Sequence, residues 1–171
     1  MIFGMPTATY TLIHVIISLV AIGSGLIVLF GWLTRKRLDS LTALFLAATV
    51  LTSVTGFGFP FDHLSPAHKV GILSLAALTI ALLARYAFHL EGKWRWIYIV
   101  TAMLALYLNV FVLVAQSFQK IPALKAMAPT QSEPPFLIAQ FVVLLLFIVL
   151  GIFAVKKFRI APASAVAAKA A

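Results

Sequence analysis

The chain has no cysteine. Disulfides, thiolate metal sites and a cysteine nucleophile are therefore excluded. Charge is scarce as well: 10% of the residues are charged, and Asp and Glu together number 4 in 171. A soluble domain carries about 25% charged residues, so this chain cannot clothe itself in a polar surface. The sequence has no phosphate loop of the Walker pattern, no acid pair and no Ser/His/Asp set, which leaves ATP-driven and hydrolytic chemistry without a motif. It has no internal repeat, which speaks against an inverted-repeat transporter.

Apolar residues are abundant, at 63%, with 12% aromatics that include 14 Phe. Disordered chains are poor in such residues. An integral membrane protein remains. Five runs are long enough to cross about 30 Å of hydrocarbon: residues 11–33, 41–59, 69–89, 96–117 and 136–155. A helix satisfies its own backbone groups where lipid cannot, and the runs lack the alternation of a membrane strand. The fold class expected is an all-α, polytopic transmembrane helical bundle of five spans. It forms one domain over residues 1–160, followed by a flexible tail at 161–171. The lipid bilayer is its first partner.

Basic residues orient the bundle. Arg35, Lys36, Arg37, Arg85, Lys93, Arg95, Lys156, Lys157, Arg159 and Lys169 fall on one side, and Lys69, Lys120 and Lys125 on the other, a split of 10 against 3. The positive-inside rule then places the N-terminus outside and the C-terminus inside. No Lys or Arg precedes the first run, which is too long for the apolar region of a signal peptide, so a retained first helix is expected. The net charge of +9 follows from topology and suits anionic headgroups. Aromatics are not interleaved with basic residues on a soluble face, and no nucleic-acid partner is expected.

The first three connections are short, so helices one to four should be antiparallel neighbours. Ser65 is a good N-cap and Pro66 a good first helical residue, which places His68 in the first turn of the third helix. Trp94 and Trp96 belong at headgroup level. The long outer connection, residues 119–135, holds Pro122, Pro129, Pro134 and Pro135, and its stretch Ala123–Met127 suits a short interfacial helix. It reads as a plain connector or as a lid over an outer site.

Polar residues within spans point to function. No Asp, Glu, Lys or Arg lies in the middle of a span, which argues against a carboxylate-driven pump and a voltage sensor. Arg85, one turn from an inner end, is expected to snorkel. His14 and Gln140 lie about one turn below the outer ends of their helices. Asn109 and Gln116 share one face of the fourth helix. Thr49, Thr52, Ser53 and Thr55 occupy the outer half of the second helix, whereas the inner half of the bundle reads as nearly all aliphatic. Small residues at Ser18, Ala21 and Gly25 face Thr49, Ser53 and Gly56 as a surface for close helix contact.

Three uses of these residues are expected. His14 and His68 suit a b-type haem, with His63 as a competitor, and His63, His68 and Asp62 suit a divalent metal, although no zinc spacing matches. His68 and His89 cannot share a haem, since 21 residues of helix separate them by about 31 Å. His14, Asn109, Gln116 and Gln140 suit a quinone pocket. The third use is to bond helix to helix, as such side chains commonly do. It fits an accessory subunit of a larger membrane complex.

Three stretches together carry a resemblance: Thr52–Phe61 (TSVTGFGFPF), Trp94–Tyr98 (WRWIY) running on to Leu106–Phe111 (LYLNVF), and Ala128–Phe136 (APTQSEPPF). From His14 to Arg159 the chain resembles a group of small bacterial inner-membrane proteins with no assigned activity. The resemblance implies a helical membrane architecture and a bacterial source, and it implies no enzyme. In that group the outer loop need not carry His at positions 63 and 68. A non-enzymatic accessory or binding protein with a polar site in the outer half is expected. The alternative is a redox protein holding one b-type haem or a quinone there.

Overall fold

The computed structural model of the chain describes residues 1–59 and 66–158. Its helices are α1 (Thr7–Leu33), α2 (Asp39–Gly56), α3 (Pro66–Leu82), α4 (Trp94–Lys120), α5 (Pro122–Met127) and α6 (Pro134–Lys157). Five are long and apolar enough to cross a membrane, with α3 continuing to Ala87. The protein is thus a multi-pass, all-helical membrane protein. Beyond the helices, an isolated bridge joins Ile2 and Met5.

The helices and the apolar runs differ at their ends for a physical reason. Apolar runs mark the hydrocarbon, while helices continue into the headgroup layer, where water satisfies the last turn. So α1 begins at Thr7 rather than residue 11, α4 spans 94–120 rather than 96–117, and α6 spans 134–157 rather than 136–155. In contrast, α2 ends at Gly56, short of residue 59. There the Phe57 and Gly58 amides donate to the Val54 and Thr55 carbonyls, tightening the final turn.

The long helices run up and down, α1 beside α2, α2 beside α3, α3 beside α4 and α4 beside α6. α4 also touches α1 and α2 and is the central helix. Small residues permit this: Ala102 and Ala105 are fully buried against their neighbours. α6 lies at the edge. Its most apolar window is 17% buried, against 39% for α4, so most of its surface is left to lipid. The close contact expected of the small-residue stripe is present at Gly25. A Cβ there would lie 2.6 Å from Leu106 Cδ1 and 2.8 Å from Phe45 Cδ2, so α1, α2 and α4 meet at this point. Ser53 turns the other way and donates to Ser74 Oγ of α3 at 3.1 Å.

Two ends of the bundle are distinguished below. The N-terminal face carries Thr7, Gly56, Pro66, Lys120 and Pro134. The basic face carries Leu33, Asp39, Ala87, Trp94 and Lys157. The main core lies toward the basic face around Trp32, Phe45, Leu46, Leu78, Tyr98 and Leu106. At the N-terminal face a small cluster of Phe118, Ala128 and Phe136 seats α5. The interfacial helix expected at residues 123–127 is α5, with Pro122 in its first turn.

α3 ends irregularly. Its last turn, Leu83–Ala87, is a π turn, in which the Phe88 amide donates to Leu83 O at 2.9 Å. His89, Leu90 and Gly92 then take left-handed φ of 49°, 61° and 49°. For His89 and Leu90 that backbone is strained, at a cost of about 1–3 kcal/mol each. Leu90 offsets part of it by burying its side chain to 5% exposure.

Candidate functional site

The polar residues of the N-terminal half form a ladder. Gly25, Phe45 and Leu106 fix one level. At ~1.5 Å per residue, Asn109 and Thr49 lie about 5 Å nearer the N-terminal face, Thr52 about 11 Å, and Gln116, Thr55 and His14 about 15 Å. Gln140 joins the ladder through its bond to Phe111, about 8 Å up by the same arithmetic.

The rim group belongs to α1 and α2. Tyr10 and His14 are four residues apart and share a face of α1. Tyr10 donates to the Thr55 carbonyl at 2.8 Å, and His14 Nδ1 lies 2.8 Å from Thr55 Oγ1. The Thr55 hydroxyl has one proton, which goes to Leu51 O at 2.7 Å. It therefore accepts from His14, so Nδ1 carries the ring proton and Nε2 of the neutral imidazole has the lone pair. Phe59 closes the group, with its ring 5.3 Å from His14 and 5.1 Å from Tyr10, both edge-on. A Cβ at Gly58 would strike the Tyr10 hydroxyl, so only glycine lets α2 end this close to α1.

The deeper group belongs to α2, α4 and α6. Asn109 and Gln140 are buried, at 9% and 8% exposure. Gln140 Nε2 donates to Phe111 O at 3.1 Å. Among the described residues, Asn109 Nδ2, Gln140 Oε1 and Thr52 Oγ1 have no hydrogen-bond partner. Such atoms are rare inside a folded protein, where more than nine in ten buried polar groups are paired.

The expected site residues are therefore only partly brought together. His14 joins Tyr10, Thr55 and Phe59. His68, buried in the first turn of α3, packs its ring 5.6 Å from Phe57. His14 thus packs on Thr55 and Phe59, and His68 on Phe57, all near the C-terminal end of α2. Asn109 lies about 10 Å deeper than His14 on the ladder. Gln116 is half-buried at the level of His14. His63 and Asp62 lie outside the described residues, as does the tail from 161 to 171. Among the described residues no three His, Asp or Glu side chains gather as a metal site.

The connection between α4 and α6 is pinned rather than loose. Gln131 Nε2 donates to Ala115 O at 2.6 Å, and Gln119 donates to Gln131 Oε1 at 3.2 Å. Glu133 accepts from the Thr130 hydroxyl at 2.8 Å and from the Thr130 and Ser132 amides at 3.1 Å. Slight desolvation pushes the Glu133 carboxyl up, but these hydrogen bonds outweigh it and hold its pKa below the ordinary value.

Two features escaped the sequence reading. Tyr10 sits one turn before His14, and that spacing alone could have marked it. The other corrects the view of the basic half as aliphatic. Arg85 is 10% exposed at its side chain and pairs with Asp39, which Arg37 also approaches at 3.2 Å. Its guanidinium lies 5.6 Å from the ring centres of both Tyr86 and Tyr98. Its partner, 46 residues away, is the first residue of α2 at the basic face, so Arg85 reaches toward that face and is paired there.

No protein-family model matches this chain, and neither the curated proteins nor the solved structures contain a significant match to it.

Proposed function

We propose that this chain is a bacterial inner-membrane protein, N-terminus outside and C-terminus inside, that works without catalysis as a binding or accessory protein. Its polar site lies in the N-terminal half. The carrying observation is the pair of nine-tenths-buried atoms, Asn109 Nδ2 and Gln140 Oε1, that have no partner among the described residues. One is a donor and the other an acceptor, and each is supplied by an amphipathic ligand or by a helix of a larger membrane complex. Purification in mild detergent, followed by mass spectrometry of everything that copurifies, tests this. The wild type is expected to retain a component that Asn109→Leu and Gln140→Leu lose. Identical inventories would overturn the reading.

His14 favours a second reading, a redox protein with one b-type haem or a quinone at the rim. Its Nδ1 is held by Thr55, which leaves Nε2 as the axial ligand or the acceptor for a quinol hydroxyl. His68, whose ring packs on Phe57 near the same end of α2, is the expected second ligand. Air-oxidised and dithionite-reduced visible spectra decide it: a Soret band lost in His14→Ala supports haem, and a flat spectrum removes it.

A further inference from the structure

The turn between α3 and α4 forms an open hollow of about 380 Å³, lined by Ala87, Phe88, His89, Glu91 and Trp94. It lies at the basic face, far from the polar ladder. Phe88 and Trp94 stack flat, with centroids 3.8 Å apart and planes 3° apart, giving one wall a rigid π surface. The left-handed backbone at His89, Leu90 and Gly92 buries Leu90 and leaves His89 and Glu91 exposed on either side of it. His89 Nδ1 lies 3.2 Å from Ala87 O. A carbonyl only accepts, so Nδ1 carries the proton and Nε2 of the neutral ring is an acceptor. The groups at the hollow are therefore two acceptors, Glu91 carboxylate and His89 Nε2, beside aromatic faces. That combination recognises a cation that donates hydrogen bonds and tolerates π contact, which is a primary ammonium. Two side-chain ligands are too few for a structural metal site. Lys93 and Arg95, either side of Trp94 in the sequence, add positive charge to the same end of the bundle. Trp94 itself marks the headgroup layer.

We propose that this hollow binds the headgroup of an ethanolamine phospholipid, with the ammonium on Glu91, His89 and Trp94 and the phosphate toward Lys93 and Arg95. The test uses the full-length chain, delipidated in dodecyl maltoside and titrated with dioleoyl phosphatidylethanolamine, phosphatidylcholine, phosphatidylglycerol or soluble phosphoethanolamine. Native mass spectrometry reads retained lipid, and the difference in tryptophan fluorescence between the wild type and Trp94→Leu reads the environment of Trp94. The ethanolamine lipid is expected to be retained about fivefold better than the glycerol lipid, with parity in Glu91→Gln and Trp94→Leu. Glu91 is exposed, so Glu91→Gln folds even if Trp94→Leu does not. Equal retention of the choline lipid overturns the hydrogen-bonded ammonium, since a quaternary headgroup has no N–H. Equal binding of soluble phosphoethanolamine overturns a membrane source. A preference unchanged in Glu91→Gln, or one for the glycerol lipid, overturns the site itself.

Discussion

In the basic half of the bundle the strongest charge is matched: Arg85 meets Asp39 and lies against two tyrosine rings, inside a core built on Trp32, Phe45 and Tyr98. In the N-terminal half, Asn109 Nδ2, Gln140 Oε1 and Thr52 Oγ1 have no partner among the described residues, and His14 Nε2 presents a lone pair. In the basic half, Arg85 Nε and the Tyr98 hydroxyl are also buried without a hydrogen-bond partner among the described residues, but they lie beside that ion pair and within the main core. The N-terminal half keeps polar capacity in reserve, which is costly in lipid unless a ligand or partner uses it. The contrast is one of neighbours: the unpaired atoms of the basic half lie beside a matched ion pair, and those of the N-terminal half are neutral amide and hydroxyl groups.

The largest effect is expected where the halves join. Gly25→Val puts methyl groups into Phe45 and Leu106 and should destabilise by about 2–3 kcal/mol in detergent unfolding. A smaller loss would mean that α1 and α2 separate easily. Next, Arg85→Met removes the matched charge of the basic half. Asp39 is 57% exposed, so screening limits the loss to about 1–2 kcal/mol, and a double-mutant cycle with Asp39→Asn should show coupling. Additivity would make the basic half no better matched than the other.

His14→Ala should cost about 0.6–1 kcal/mol if the imidazole only ties α1 to α2, and any bound chromophore in addition if it is a ligand. Asn109→Leu sharpens the contrast most directly. An unpaired amide replaced by an apolar group should leave the free protein equally stable or up to about 1 kcal/mol more so, while abolishing retention of the copurifying component. A loss of stability in the free protein would show that Asn109 is paired after all. The smallest effect concerns Glu133. Its folded pKa is lowered, so its contribution to the loop is full above the unfolded value and disappears as pH falls through the folded one. Amide protection at Thr130 and Ser132, taken relative to the intrinsic exchange rate at each pH, should fall on acidification, and Glu133→Gln should abolish that dependence.

The spans were legible because each apolar run is long enough for the hydrocarbon, and the α1 stripe was legible because Gly25 is small where Phe45 and Leu106 are large. α5 showed through Pro122 and the prolines after it. The candidate site was legible only as a set of residue types at the right depth. That His14 bonds Thr55 depends on how α1 and α2 are rotated about their axes, and that Arg85 meets Asp39 depends on three helices at once. The hollow beside Trp94 arises from left-handed residues, His89 and Leu90, whose types give no hint of it.

By itself the sequence determined how many helices cross the membrane and which residues stand at which depth, since both follow from transfer of side chains out of water. Tertiary structure alone decided which polar groups meet. In water, an apolar stripe tells a helix which way to face. In lipid, Leu19 and Ile27 face outward as comfortably as Val28 and Leu29 face inward, so apolar patterning cannot set rotation. Close packing at Gly25 and hydrogen bonds such as His14 to Thr55 set it instead, and both exist only once the helices are together.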